Sequence, residues 1–339
     1  MRKPALLLFV LVLVMALSAC GNSTAPQASP SPTAAQTEYT NDGDDEPKEV
    51  VQIGFSIAGE GAFYDQLKAD IEAACAAKGY SFSLLRPITA QEQVNDINEL
   101  LGSGISVLVI GPADVDALET ALAECESDGV PVINIIDSIN GKVSTLVSPD
   151  YAEAGRLAAA RADKLFGDEG VQCLELKTDY DSFIMQLLSD GFANELAKND
   201  KLILAAEQFC GSDKEQAYQL TKSELQSGEK NIGFIFAQSA PLARGAVRAI
   251  EETGSSAKIA AFCGDMDLIS AVREGKLDAA IFIGPAKLAD ILVDNAGQYI
   301  GNPSFAPEPF IQLELDVAMA DDAAEYYSEE LLHAQVKAD

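Results

Sequence analysis

A single histidine, His333, serves the whole chain and lies near its C-terminus. A Ser-His-Asp or Cys-His relay would have to run through it. Asp265 and Asp267 have the spacing of a carboxylate pair for general acid–base work, a spacing that equally suits a solvated loop. Gly59-Glu60-Gly61 resembles the opening of a phosphate-cradling turn, but the third glycine of a dinucleotide fingerprint would fall at Tyr64. No GxxxxGK[ST] loop occurs. The six cysteines include no CxxC pair, so zinc ligation and dithiol redox chemistry lack their motif. No nucleophile, base and oxyanion donor come together. The chain reads as a non-enzyme with no cofactor and no metal site.

The cysteine with distinctive flanks is Cys20. Arg2 and Lys3 precede an almost unbroken apolar run from Ala5 to Leu17, too short to span a bilayer. Leu17-Ser18-Ala19-Cys20 follows, then Gly21 and Asn22. This stretch resembles the lipobox of bacterial lipoproteins. The resemblance implies that residues 1–19 are a signal peptide and that the Cys20 thiol receives a diacylglyceryl group. The mature protein would then be extracytoplasmic and lipid-anchored to the cell membrane. Residues 20–48 are rich in Ser, Thr, Pro, Ala and Gln and end in an acidic run. They hold too little apolar surface to order themselves and predict a tether with a reach on the order of 30 Å.

From Val50 onward, apolar strands alternate with helices. Strands are predicted over Val50–Ile57, Tyr80–Leu85, Ile105–Ile110, Val132–Ile136 and Val143–Val147. The helices between them span Phe63–Lys78, a segment capped by Thr89 and Glu92, and Asp114–Asp128. After a helix at Tyr151–Phe166 the pattern resumes with strands at Val171–Leu176, Leu202–Ala206, Ile232–Phe236, Ile259–Phe262 and Ala279–Ile283. Ser212 and Glu215 form a second expected capping box. A helix at Ala286–Ile300, a strand at Phe310–Leu315 and a terminal helix over Ala320–Leu332 complete the reading. Apolar strands alternating with helices imply parallel sheets covered on both faces. Two sets of about five strands imply an α/β fold of two doubly wound parallel-sheet lobes. In such sheets ligands lie beyond the carboxyl ends of the strands.

Length and charge are consistent with this. The chain has 339 residues, 48% of them hydrophobic, enough for two cores, and a formal net charge of −30. Such a surface repels nucleic acid and anionic lipid, so neither is an expected partner.

Several short stretches carry a family resemblance. They are Ile53-Gly54-Phe55-Ser56, then Phe63-Tyr64 with Leu67-Lys68, and the run from Gly104 to Asp114. Gly129-Val130-Pro131-Val132-Ile133, Asp190-Gly191-Phe192, Ile235-Phe236-Ala237-Gln238 and Gly275–Ile281 follow in order. Together they resemble the type I periplasmic binding proteins, in the subgroup of ribose-binding and related sugar receptors of ABC importers. The resemblance implies two lobes joined by a three-segment hinge. Lobe one would comprise 49–149 plus 286–310, and lobe two 150–285 plus 311–335. The crossings would fall near Ser148–Asp150, Gly284–Pro285 and Phe310–Gln312, and a small ligand would sit between the lobes.

The family's binding positions carry over unevenly. Its two aromatics after the first strand match Phe63 and Tyr64, its sugar-binding acid matches Asp137, and a later aromatic matches Phe262. Its polar partners are replaced by Ser138, Ser239, Cys263, Leu188 and Ile283. Tyr180 and Phe183 lie just beyond the sixth strand as further candidate walls, and Glu60 and Asp265 are weaker candidates. With much of the pentose hydrogen-bonding set gone, the expected ligand is sugar-like with an apolar part, such as a deoxysugar or nucleoside. The expected partners are that ligand, an ABC transporter permease and, through lipid, the membrane, with the protein itself a monomer. A receptor of the same fold signalling to a membrane kinase or chemoreceptor is the alternative.

Overall fold

The computed structural model describes residues 52–320, apart from 137, 179–182, 229, 264–265 and 303. The chain divides into two compact units, Met1–Lys48 and Glu49–Asp339, and every described residue belongs to the second. The expected signal peptide, Cys20, the tether and His333 lie outside the described residues, as does nearly all of the expected terminal helix.

The first half alternates β1 (Gln52–Ile57), α1 (Ala62–Lys78), β2 (Ser81–Leu85), α2 (Ala90–Gly102), β3 (Val107–Gly111), α3 (Glu119–Asp128), β4 (Val132–Ile135) and β5 (Thr145–Pro149). Next come α4 (Tyr151–Phe166), β6 (Val171–Lys177), α5 (Phe183–Leu196), β7 (Leu202–Phe209), α6 (Lys214–Ser227) and β8 (Ile232–Ala237). The rest is α7 (Ala240–Thr253), β9 (Lys258–Phe262), α8 (Met266–Arg273), β10 (Ala279–Phe282), α9 (Pro285–Gly301), β11 (Phe310–Leu313) and β12 (Asp316–Met319).

Two six-stranded sheets result, ordered β11-β5-β4-β3-β1-β2 and β12-β10-β9-β8-β6-β7. Within them only β12 runs antiparallel, against β10. Each sheet is apolar on both faces because side chains alternate along each strand. In β3, Val107 and Val109 join the core under α1 and α9, while Leu108 and Ile110 join the core under α2 and α3. In β8, Ile235 and Ala237 face one way and Phe234 and Phe236 the other. The five described cysteines are buried, and none of them forms a disulfide among the described residues. Cys75 and Cys125 pack on opposite faces of the first sheet.

Among the described residues the chain passes between the sheets three times: from β5 to α4, from β10 to α9, and from β11 to β12. Lys287 and Glu314 form an ion pair at 2.9 Å that ties the second passage to the third.

The structure departs from the sequence reading at several places. The strand expected over Phe310–Leu315 ends at Leu313, and a further strand, Asp316–Met319, follows it in the other sheet. β11 pairs with β5, β12 pairs with β10, and the crossing lies at Glu314-Leu315 rather than Phe310–Gln312. Residues 311–313, placed in lobe two, thus belong to the first sheet. The alternation of apolar and polar residues continues through the break, so period two cannot mark a change of sheet. The cap of α6 is Asp213, whose carboxylate accepts from the N–H groups of Glu215 and Gln216, and not Ser212. The start of α3 moves from Asp114 to Glu119, because the Asp114 carboxylate turns the chain by accepting from Asp116 N–H at 2.9 Å. β5 lies two residues later than expected. Leu188, matched to a family binding position, is a fully buried core residue of lobe two.

Candidate functional site

The carboxyl ends of the two sheets face a common cleft of about 330 Å³. Lobe one supplies the loop after β1 and the first turn of α1, from Glu60 to Tyr64, together with Ile136 after β4. The second sheet and its helices supply Tyr151, Ala240, Pro241, Phe262 and Cys263, and Ile283 lines the second crossing. The size falls at the lower end of the range for small-ligand pockets, and the mostly apolar lining is typical of them.

On the lobe-one side, two devices hold the cleft edge. Gln93 is fully buried, and its amide donates to the carbonyls of Ser56 at 3.1 Å and Gly111 at 2.9 Å. Its oxygen accepts from Ala113 N–H at 2.7 Å, so one side chain staples the carboxyl ends of β1 and β3. Arg86 donates to the carbonyl of Gly59 at 2.6 Å and to Asp65 at 2.5 Å. That fixes the turn carrying Glu60 and Gly61. Gly59 has φ of 139°, a conformation that glycine adopts at little cost and residues with a side chain rarely do. The Phe63 and Tyr64 rings meet edge-to-face, centroids 5.1 Å apart.

On the lobe-two side, the Tyr151 and Phe262 rings also meet edge-to-face at 5.8 Å. Tyr151 is the first residue of α4, held there by Asp150, whose carboxylate caps the helix by accepting from Glu153 N–H at 3.0 Å. Behind this wall Glu175 is fully buried and accepts from Ser189 at 2.8 Å and Gln238 at 2.9 Å. Burial pushes its carboxyl above the usual range, while the bonds from Ser189 and Gln238 and the Lys177 charge oppose the shift. Gln238 also accepts from Thr178 N–H at 3.3 Å, so it joins the carboxyl ends of β6 and β8 much as Gln93 joins β1 and β3.

The structure brings Phe63, Tyr64, Phe262 and Cys263 together in the cleft, with Glu60 at its edge. Asp137, Tyr180 and Asp265 lie outside the described residues. Ser138 is exposed and is not among the lining residues. Phe183 is 72% exposed in the first turn of α5 and does not line the cleft either. Ser239 sits at the N-cap of α7, with its hydroxyl buried and without a hydrogen-bond partner among the described residues.

Tyr151, Ala240, Pro241 and Ile136 were not picked out from the sequence. The rule that ligands lie beyond strand carboxyl ends reaches Ala240-Pro241 after β8 and Ile136 after β4. An aromatic placed just after an interlobe passage is a signal that would have found Tyr151.

Chemically, the cleft offers four aromatic rings and aliphatic walls to the C–H faces of a compact ligand, with tyrosine hydroxyls at the rim of those rings. Glu60 is the single charged side chain among the described lining residues. An anionic ligand would find no described cation there to offset its desolvation. Among the described residues no cluster of His, Cys, Asp or Glu could hold a metal, and no helix is long and apolar enough to cross a membrane.

A family model described as the periplasmic binding protein domain matches residues 53–303. The chain is 28% identical over 300 residues to the ribose import binding protein RbsB of Bacillus subtilis, covering 87% of this chain and 92% of that protein. It is 26% identical over 259 residues to the Escherichia coli RbsB, covering 75% of this chain and 86% of the relative. Among solved structures, the arabinose-binding component of an ABC transporter from Shewanella sp. ANA-3 superposes with a TM-score of 0.72 at 18% identity. That match covers 84% of this chain and 97% of the other.

Proposed function

The chain belongs to the periplasmic binding protein domain family, and we propose that it is the extracytoplasmic solute-binding component of an ABC importer, capturing a small sugar-like ligand between its two lobes. The observation that carries this reading is the cleft, with aromatic pairs from each lobe facing one volume of about 330 Å³. Ribose import proteins related over most of the chain support the sugar class and the transport role. The protein acts by binding; the sequence supplies no catalytic set.

The lining favours a less polar ligand than a plain pentose. Ile283 stands where a polar partner would serve a sugar hydroxyl, and Pro241 and Ala240 add further apolar surface. A deoxysugar or a nucleoside offers matching faces. Asp137, which follows Ile136 in sequence, is our candidate for the main polar contact to ligand hydroxyls. Lipidation at Cys20 anchors the protein, and the three passages between the lobes serve as the hinge.

The test is a thermal-shift and calorimetric panel of D-ribose, L-arabinose, 2-deoxy-D-ribose and adenosine. A ligand at about a hundred times its Kd raises stability by about 2.7 kcal/mol through mass action. The reading expects at least one such ligand, with Asp137→Asn weakening it by about 1.5–3 kcal/mol. Tight ribose binding that survives Asp137→Asn would overturn the site assignment. No shift with any sugar or nucleoside would overturn the ligand class.

A further inference from the structure

Ile136 has a φ of 70° and is the only non-glycine residue with positive φ among the described residues. A side chain branched at Cβ resists that region, because Cβ crowds the neighbouring backbone. Such a conformation persists where its surroundings over-determine it. Here the surroundings are unusual in kind. The Ile136 N–H donates to the carbonyl of Val147 at 2.8 Å, and its carbonyl accepts from the Ser148 hydroxyl at 2.6 Å. Its side chain packs against the cores of both lobes. It also lines the ligand cleft.

Val147 and Ser148 lie near the end of β5, which closes at Pro149 before the chain passes through Asp150 into α4 of the second lobe. Ser148 stands opposite Gln312 in the β5–β11 register, one residue short of the end of the strand that leads into the third passage. One strained residue therefore touches the cleft, both cores and the backbone of one interlobe passage, and that passage is paired with a second.

We propose that Ile136 is the strut that sets the resting angle between the lobes and ties that angle to the contents of the cleft. Rotation of one lobe against the other must either draw this side chain out of one of the two cores or turn its backbone. The bonds from Ile136 to Val147 and Ser148 resist the second route. A ligand filling the cleft meets the same side chain, so ligand shape and lobe angle are read by one residue. This role is independent of which solute the cleft holds.

The experiment is a pulsed electron-spin distance measurement on the unliganded full chain. Spin labels go on thiols introduced by Glu99→Cys and Gln219→Cys, exposed positions on α2 and α6. Cys75, Cys125, Cys173 and Cys210 are buried in the cores, Cys263→Ser removes the thiol that lines the cleft, and Cys20→Ala removes the remaining one. Ile136→Gly removes both the strut and the backbone restraint. It should shift the mean interlobe distance and widen its distribution. Ser148→Ala, which removes one of the restraining bonds, should move the distribution in the same direction by less. Leu100→Ala, in the outer core of lobe one, should lower Tm and leave the distribution at that of the parent. Parent-like distributions in both Ile136→Gly and Ser148→Ala overturn the proposal. So does a change in Leu100→Ala as large as theirs, which would mark the effect as general loosening. If Ile136→Gly fails to fold, Ser148→Ala against Leu100→Ala decides alone.

Discussion

The Tyr64 ring lies directly over the backbone of Gly59, so close that a β-carbon on Gly59 would stand 2.2 Å from the ring. The same glycine accepts from Arg86 through its carbonyl and holds φ of 139°. The position of one cleft wall is thus set by a residue with no side chain. Gly59→Ala should displace Tyr64 and strain the turn. We expect a loss of about 1–2 kcal/mol of stability from the backbone alone, read by urea denaturation. Ligand affinity should fall along with it. A variant with parent affinity and stability would show that the turn adapts freely.

On the opposite wall, Phe262 is braced edge-to-face by Tyr151. Phe262→Ala removes an apolar face from the cleft, worth about 1.5–3 kcal/mol when fully buried. Calorimetry should show affinity for the transported solute weakened by about tenfold to a hundredfold. Tyr151→Phe keeps the ring pair and should cost far less than Tyr151→Ala.

Arg161 and Asp278 form an ion pair at 2.5 Å, with the two side chains only 1% and 6% exposed. It fastens α4 to the turn before β10. Asp278→Ala would take one carboxylate away from the buried Arg161 guanidinium and should destabilise the fold, by up to about 3–5 kcal/mol. Replacing both partners with apolar residues should recover most of that loss. Equal destabilisation in the single and double variants would contradict this account.

Glu175 gives the fold a pH dependence of predictable sign. Burial raises its carboxyl above the usual carboxylate range in the folded state. The folded chain therefore holds this proton to higher pH than the unfolded chain. The associated stability is fully present below the ordinary carboxylate pKa and is lost as pH rises through the raised folded value. Glu175→Gln keeps the shape without the charge. Its Tm should exceed the parent's at neutral pH, and the gap should close as the solution is acidified toward pH 4. A gap that widens with acid would reverse the assignment.

The buried thiols should be slow to react. Burial pushes Cys75, Cys125 and Cys210 to about 11 and Cys173 to about 12. At pH 8 these groups are overwhelmingly protonated and screened by the cores, so a disulfide reagent should label them only after denaturant is added. Cys263, which lines the cleft, is the described thiol whose labelling a bound ligand should slow. Rapid labelling of all five in the native protein would show that the cores open readily.

Much of the architecture was legible in residue order. Apolar runs such as Val107–Ile110 specify buried parallel strands because they are apolar on both faces, and Thr89 with Glu92 closes a reciprocal capping box as read. Phe63, Tyr64 and Phe262 could be placed in the cleft because they sit just beyond the carboxyl ends of strands or at the end of one. These are local statements, and local pattern determines them.

The sheet to which a strand belongs is not local. Phe310–Leu313 and Asp316–Met319 continue one alternating pattern yet pair with different sheets, because pairing depends on which edge, β5 or β10, is free to accept a strand. The cleft was decided in the same way. Tyr151, Pro241 and Ile136 come from different elements of the two lobes and face one cleft only once the two sheets stand with their carboxyl ends facing. Nothing in the type or neighbours of Ile136 announces a left-handed backbone. That conformation follows from hydrogen bonds to Val147 and Ser148 and from packing against two cores, contacts that exist only in the assembled fold. Residue order alone determined the elements, their caps and their buried faces, because those depend on neighbours within a few turns. The three-dimensional fold decided the crossings, the cleft and its strained strut, because each depends on groups brought together across the whole chain.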